Sequence, residues 1–179
     1  MKRDSLTLVV ISDTHSKPHP RALELARAQE PDGVLHAGDI GDLSCVAPFR
    51  ELAPLTLVRG NIDGRGPELP DDVLIAIEHE ERSVLDVLLT HVAVAGPRIR
   101  KDAAERATGK GAGLIVCGHS HVPFVGQDRG LIVFNAGSIG PRRFQLPIVF
   151  GVLRLRLEDG APKLAMHHID CETGERWMP

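Results

Sequence analysis

The segment LTLVVISDTH, residues 6–15, decides the fold, because a short apolar strand leads here directly into two polar side chains. Residues 6–11 form an apolar run rich in β-branched side chains, which predicts a strand buried on both faces. Asp13 and His15 follow this run, and both are residue types that bind metal ions. Since ligand sites of α/β sheets lie at the carboxyl ends of strands, we expect a site at this strand end.

Four further apolar runs end in the same way. The runs at 33–36, 55–58, 84–89 and 114–117 lead, respectively, to Asp39, to Asn61, to His91, and to His119 and His121. The combined set holds oxygen and imidazole ligands without a thiolate, which favours Mn, Fe, Co, Ni or Zn over Ca or Mg. Seven ligand groups are too many for one tetrahedral ion and suit two ions that share a bridging carboxylate.

The spacing within the ligand motifs leads to two local expectations. Asp13 and His15 are two residues apart, as are His119 and His121, so each pair lies on one side if its segment stays extended. A glycine precedes three of the ligand positions, at 38, 60 and 118. Glycine at such a position predicts a sharp backbone turn and a close approach of the substrate.

The remaining pattern places helices between the early strands. Helical spacing or caps predict helices over 20–29, from Asp42 or Ser44 to about Leu52, and over 97–108, ending before Gly109. Residues 73–77 and 84–89 read as a hairpin or as adjacent strands, and strands are expected at 122–125, 131–134, 148–157 and 164–169. An α/β first half and a strand-rich second half fit two packed sheets with helices outside.

The composition bounds the function. A chain of 179 residues suits one domain, 1–179, and its net charge of −3 gives no general attraction to nucleic acid or anionic membrane. With 3% aromatic residues and no Tyr, stacking platforms for long nucleic acids are not expected. There is no apolar run that would span a bilayer, and three scattered cysteines favour a reducing, cytoplasmic setting.

The ligand motifs taken in order resemble those of a known family. The strings ISDTH at 11–15, HAGDI at 36–40, GN at 60–61, His91, GHSH at 118–121 and NAGS at 135–138 are similar to the calcineurin-like metallophosphoesterase superfamily. The subgroup they resemble is that of small single-domain bacterial and archaeal phosphodiesterases. The resemblance runs from the first strand to about Arg143 and implies a four-layer α/β/β/α sandwich with two packed, largely mixed sheets.

The resemblance also implies the chemistry. One ion would be held by Asp13, His15, Asp39 and His121, and the other by Asp39, Asn61, His91 and His119. Asp39 would bridge the ions, a bridging hydroxide would attack phosphorus, and Asp39, Asn61 and His91 would act directly in catalysis. Two divalent ions are expected, Mn²⁺ first, with Fe, Ni, Co or Zn as alternatives. The expected substrate is a small phosphate ester, with no membrane partner and with a homo-oligomer left open.

The sequence departs from the family pattern at two places. Ile62 follows Asn61, where many members have a histidine that protonates the leaving group, although the small phosphodiesterases commonly lack it. Val92 follows His91, where glycine is frequent in the family.

Other polar residues receive structural interpretations. His36 is expected to be a hydrogen-bonded core residue, His19 a surface residue and Cys117 a buried apolar one. His79, His167 and His168 are assigned no role. Arg142 and Arg143 either bind phosphate or are structural.

Three functions stay open at this level. A phosphodiesterase is the leading hypothesis. The alternatives are a phosphomonoesterase or nucleotide hydrolase, and a non-catalytic scaffold such as the retromer subunit that resembles the family. The filled ligand positions favour an enzyme.

Overall fold

The computed structural model describes residues 5–158 and 161–178, and within them the chain forms two large β-sheets and a short hairpin. The strands are β1 Ser5–Ile11, β2 Gly33–His36, β3 Leu55–Leu57, β4 Asp72–His79, β5 Arg82–Thr90, β6 Val94–Ala95, β7 Arg98–Ile99, β8 Leu114–Cys117, β9 Phe124–Asp128, β10 Leu131–Asn135, β11 Val149–Glu158, β12 Ala161–Asp170 and β13 Arg176–Trp177. The helices are α1 Ala22–Arg27, a 3₁₀ helix Leu43–Glu51, and α2 Lys101–Gly109.

Both sheets are mixed, as the resemblance implies. The first sheet has the order β13-β12-β11-β1-β2-β3 and the second β4-β5-β8-β10-β9. Strands β1, β2 and β3 pair in parallel, as do β5, β8 and β10, while β11 joins β1 antiparallel. Parallel pairing brings the carboxyl ends of these strands to a common edge, where the polar motifs of the sequence begin.

Three apolar clusters stack into four layers. The central cluster lies between the sheets and includes Val10, Leu89 and Phe134. A second cluster packs α1 and the 3₁₀ helix on the outer face of the first sheet, and a third packs α2 on the outer face of the second. Each fully buried Val, Leu, Ile or Phe contributes about 1.5–3 kcal/mol, so the stacked clusters dominate stability. The expected four-layer sandwich is therefore confirmed.

The helices are shorter than their sequence patterns predict. The predicted helix 97–108 begins at Lys101, because residues 98–99 pair instead with 94–95 as a small hairpin that buries Ile99. The helix near 42–52 is 3₁₀ and contains Pro48, and Asp42 caps it by accepting a hydrogen bond from Ser44 N at 2.9 Å. The hairpin of residues 72–79 and 82–90 is confirmed.

Two further features concern the state of the cysteines and the length and apolarity of the helices. Cys45, Cys117 and Cys171 are free thiols. Among the helices of the described residues, there is none with the length and apolarity that crossing a membrane requires.

Candidate metal centre

The predicted ligands lie at the common edge where the two sheets meet. Asp13, Asp39 and Asn61 follow β1, β2 and β3 of the first sheet, and His91, His119 and His121 follow β5 and β8 of the second. Carboxylate and imidazole groups on these loops form two triads. The first triad is Asp13, His15 and His121, and the second is Asp39, His91 and His119; in each, one ligand atom per residue lies within 4.8 Å of the others.

The ligand loops are not extended, so the predicted reason for pairing side chains is wrong. Five of the seven ligands have a left-handed backbone: Asp13, His15, Asp39, His119 and His121, with φ from 45° to 68°. Asp13 and His15 still meet in one triad, but His119 and His121 separate into different triads. A left-handed non-glycine residue costs about 1–3 kcal/mol, and such clusters typically mark functional sites.

The predicted glycines serve the packing of these loops. A Cβ on Gly60 would lie 2.0 Å from Asp39 N, and a Cβ on Gly118 would lie 1.9 Å from Ser12 Oγ. The space that a side chain would need is therefore filled by a neighbouring ligand loop rather than left for a substrate. The glycines do allow a close approach, but the group that approaches is a neighbouring ligand loop rather than a substrate.

The first triad is almost entirely buried. Asp13 Oδ1 lies 3.2 Å from His121 Nε2 and 4.0 Å from His15 Nε2. The other oxygen, Oδ2, accepts hydrogen bonds from Ser12 Oγ at 2.5 Å and from His119 N at 2.9 Å. The protein thus fixes one carboxylate oxygen and leaves the other facing two imidazoles.

The second triad shares its carboxylate with the first. Asp39 Oδ1 lies 3.3 Å from His91 Nε2, while Asp39 Oδ2 lies 3.8 Å from His15 Nε2 of the first triad. His91 Nδ1 donates to the Ala37 carbonyl at 2.7 Å, which orients Nε2 toward Asp39. Asp39 therefore stands between the triads, the position that a bridging ligand needs.

Orphaned polar atoms test whether these residues fit metal ions. Asp13 Oδ1 and His91 Nε2 are buried and make no hydrogen bond with any described residue. A buried polar atom without a partner costs about 1–3 kcal/mol, and both of these atoms face the interior of a triad. A divalent ion in each triad would satisfy them, so the residues present fit two ions.

The electrostatics of Asp39 and His15 favour the protonation states that metal binding needs, whereas at His91 burial alone would lower the pKa but the Asp39 carboxylate raises it. Burial on its own would raise the pKa of the Asp39 carboxyl, but the His91 imidazole and the backbone N–H groups of Ile62 and Asn61 hold that pKa well below its ordinary value. Burial, followed by the charge of Arg143, lowers the pKa of His15. Asp39 is thus an anion and His15 a neutral imidazole near pH 7.

Asn61, the remaining predicted ligand, lies beside the second triad on an exposed loop. It lines a cleft of about 460 Å³ together with His91, His119 and three arginines, Arg59, Arg100 and Arg106. Ile62, the next residue, is 54% exposed, and its backbone N–H donates to Asp39 Oδ1 at 3.1 Å.

Asp63 is a site residue that the sequence reasoning missed. Its buried carboxylate accepts hydrogen bonds from Ile40 N and Gly41 N of the Asp39 loop, each at 2.9 Å, and from Gly60 N of the Asn61 loop at 2.7 Å. It therefore ties two ligand loops together. The available signal was its position two residues after Asn61, within a motif already singled out.

Two histidines outside the triads are buried and hydrogen-bonded. His36 is fully buried between Gly38 N and Thr14 Oγ1, each at 3.1 Å, and burial lowers its pKa to about 4, which confirms its place in the core. His168, to which no role was assigned, is also buried, and its Nε2 donates to Asn135 O at 2.7 Å. Asn135 Nδ2 in turn donates to Gly118 O at 2.8 Å, so His168 supports the His119 loop through Asn135.

Arg142 and Arg143 have different surroundings. The Arg142 guanidinium donates to Leu146 O at 2.8 Å and pairs with the Glu172 carboxylate, so its role is structural. Arg143 Nη2 lies 3.2 Å from His15 Nε2, at the opening of the first triad.

Comparison with known proteins agrees with this geometry. Residues 6–159 match the model of the calcineurin-like phosphoesterase superfamily domain. The chain belongs to this superfamily. It is 30% identical over 162 residues to a probable metallophosphoesterase of Methanocaldococcus jannaschii, covering 87% of this chain and 78% of that one. It is 32% identical over 152 residues to a probable metallophosphoesterase of Methanothermobacter thermautotrophicus, covering 82% and 84%.

Solved structures of the calcineurin-like phosphoesterase fold superpose over most of the chain. Vacuolar protein sorting 29 (Vps29) from Cryptosporidium parvum has a TM-score of 0.68 at 18% identity, covering 93% of this chain and 98% of that one. YfcE, a phosphoesterase from E. coli, has a TM-score of 0.63 at 20% identity, covering 96% of each. Vps29 from Entamoeba histolytica in complex with Zn²⁺ has a TM-score of 0.65 at 21% identity, covering 93% and 99%. At these identities the likeness establishes the fold.

Proposed function

We propose that this calcineurin-like phosphoesterase is a phosphodiesterase that holds two divalent ions and hydrolyses a small phosphate ester. The observation that carries the proposal is the pair of carboxylate–imidazole triads with Asp39 between them. Two ions held in this way would supply an activated water and neutralise charge on the phosphoryl oxygens.

The proposed ligands differ in burial, and their roles differ accordingly. Asp13, His91 and His121 are buried and fix the geometry, whereas His119 is exposed and faces the cleft together with Asn61. Mn²⁺ is the first candidate because the donors are carboxylates and imidazoles without a thiolate. Zn²⁺ is a second candidate that the Entamoeba histolytica Vps29 complex makes worth testing.

The cleft beside the second triad supports a small substrate. A volume of about 460 Å³ accommodates an ester group of modest size, and the lining is polar, with each of its three arginines ion-paired to an aspartate. The presence of Ile62 after Asn61 supports a diester, because the small phosphodiesterases that the sequence resembles share the missing histidine. The free thiols are consistent with a cytoplasmic location, which we include in the proposal.

A scaffold is the competing function, because Vps29 has the same fold. The filled triads with their orphaned metal-facing atoms favour an enzyme, since a scaffold gains nothing from burying unsatisfied polar groups.

The test is metal removal and selective reloading of the full chain. We expect about two ions per chain in the loaded protein, no hydrolysis of bis(p-nitrophenyl) phosphate after chelation, and recovery with Mn²⁺. Metal content is measured by mass spectrometry alongside the rate with diester and monoester substrates. Full activity in a verified metal-free sample would refute the metal requirement. Stoichiometric loading without hydrolysis of any ester would favour the scaffold.

A further inference from the structure

The Arg143 guanidinium lies next to an atom that the proposed function assigns to a metal ion. Its Nη2 is 3.2 Å from His15 Nε2. The same His15 nitrogen is 3.4 Å from His121 Nε2 and 3.8 Å from Asp39 Oδ2, so it points into the centre. The positive group of Arg143 therefore stands at the rim of the first triad.

The loop that carries Arg143 is anchored to the first triad. Ser138 Oγ donates to Asp13 O at 3.1 Å, and Ile139 N donates to Ser12 O at 3.2 Å. A Cβ on Gly140 would lie 2.2 Å from Asp13 O, so the backbone of this loop packs directly on the Asp13 loop. Arg143 thus extends from a support whose position is set by the metal ligands.

Arg143 differs from Arg142 in having no carboxylate to satisfy its charge. Arg142 is paired with Glu172 and with Leu146 O. Within residues 5–158 and 161–178, Arg143 forms no ion pair, and the polar contact of its side chain is with the His15 ring. A permanently charged guanidinium is left with unused donors at the opening of the centre.

Metal binding would remove even the contact to His15. Its Nε2 lone pair would be taken by the ion, and the guanidinium would then face a divalent cation with which it repels. An anion that touches both groups relieves this repulsion, and a phosphoryl group offers several oxygens to accept from the fork of an arginine.

We infer that Arg143 binds the substrate phosphoryl group, donating to an oxygen beside the first ion. This inference rests on the proposed function and names its phosphate-binding residue. The phosphoryl group would then lie between the Arg143 guanidinium and the ion that the first triad would hold.

The test measures inorganic phosphate binding by calorimetry to the full chain loaded with Mn²⁺, so the readout does not depend on turnover. Arg143→Gln should bind phosphate about 10- to 100-fold more weakly, as expected for loss of a charge-assisted hydrogen bond. Arg143→Lys should be intermediate, because the charge is kept and the fork is lost. Arg50→Gln, which removes the same charge from the exposed surface of the 3₁₀ helix, should bind as the unchanged protein does.

Metal content distinguishes binding from a structural role. Arg143→Gln should retain both ions, because the substitution removes a repelling charge and no ligand. Phosphate affinity within twofold of the unchanged protein, or loss of an ion in Arg143→Gln, would overturn the inference. An Arg142→Gln protein that loses as much phosphate affinity as Arg143→Gln would also overturn it, since loop order would then be the cause. If the proposed function is wrong, the unchanged protein will bind phosphate but hydrolyse no ester. This result is separate from the effect of substituting Arg143.

Discussion

The two triads have the same composition but differ in what surrounds them. In the first, Asp13 and His121 are buried, and Arg143 lies over His15. In the second, His119 is exposed and opens onto the cleft that Asn61 lines. The first triad is therefore the more enclosed of the two, and the second offers the larger opening for a substrate.

The triads also depend on each other. Asp39 belongs to the second triad but reaches toward His15 of the first, and the backbone of His119 in the second donates to Asp13 of the first. The dependence is unequal, because the Asp39 carboxylate faces imidazoles of both triads, whereas the Asp13 carboxylate faces imidazoles of its own triad and contacts the second only through the backbone N–H of His119. Damage to Asp39 should consequently spread to both triads, whereas damage to Asp13 should stay more local.

The strongest test of this asymmetry is Asp39→Asn. Neutralising a carboxylate shared by both triads should remove both ions and lower kcat/KM by about 10³-fold or more, since two-metal charge stabilisation contributes several kcal/mol. Metal content and diester hydrolysis measure the effect. His19→Ala is the control, because His19 lies outside the triads and its side chain accepts from Arg21 N, while its other hydrogen bonds are made by its backbone. Equal losses in the two variants at equal stability would contradict the assignment of Asp39.

Asp13→Asn sharpens the comparison. It should lose the ion of the first triad and keep that of the second, so that metal content falls from about two ions to about one. We expect kcat/KM to fall about 10²-fold, less than for Asp39→Asn, because one ion remains to neutralise phosphoryl charge. A variant that lost both ions would show that the triads are a single unit.

Asp63→Asn probes the support of the second triad. In the unchanged protein, backbone N–H groups donate to the Asp63 carboxylate. In the variant, the N–H of the new amide would face one of these donors, at a cost of about 1–3 kcal/mol in the free energy of unfolding. Affinity for the second ion should fall about 10- to 100-fold, the usual effect of losing a residue that orients ligands. Thermal unfolding and metal titration measure the two effects.

Asp42→Asn is the matched control for Asp63→Asn. Asp42 lies on the Asp39 loop that Asp63 holds, but it is exposed and caps the 3₁₀ helix, a role that Asn fills equally well. It should leave stability within about 0.5 kcal/mol and metal affinity unchanged. If the Asp63 variant behaved like this control, the carboxylate would not be what holds the loops together.

The strands that lead to the site were predictable, because a strand buried on both faces has a continuous apolar sequence. Residues 33–36 and 114–117 are fully buried strands, and their continuous apolar runs gave both boundaries without error. The polar residue after each run then marked the common edge of the sheets. The family resemblance implied the division of His119 and His121 between the triads, and the structure has it. The spacing alone did not predict it, since it depends on left-handed backbone turns that non-glycine residues adopt only when the surrounding loops impose them.

The supporting residues were hidden for a related reason. Asp63 bonds to Ile40 and Gly41, 23 and 22 positions away, and His168 bonds to Asn135, 33 positions away, so no local sequence pattern indicates either role. The helix expected at 97–108 failed at its start, because burial of Ile99 in the small hairpin outweighed helical spacing. Tertiary contacts decided each of these cases.

Ile62 provides the test with the smallest expected effect, because its backbone N–H donates to Asp39 while its exposed side chain cannot donate a proton. In the proposed mechanism the ions would supply the nucleophile, but departure of an alkoxide also needs stabilisation, to which a general acid contributes about 10²–10⁴-fold. We therefore expect rates that depend steeply on the leaving-group pKa, with aryl diesters hydrolysed much faster than alkyl diesters.

Ile62→His should reduce this dependence. The side chain at this position is 54% exposed, so an imidazole needs no cavity, and the backbone hydrogen bond from residue 62 to Asp39 does not depend on the side chain. The alkyl-ester rate should rise about tenfold, the low end for an acid that was not positioned by selection, while the aryl-ester rate changes little. Rate against leaving-group pKa, measured for both proteins at matched metal content, gives the comparison. A flat dependence in the unchanged protein, with chemistry rate-limiting, would mean that another group already protonates the leaving group.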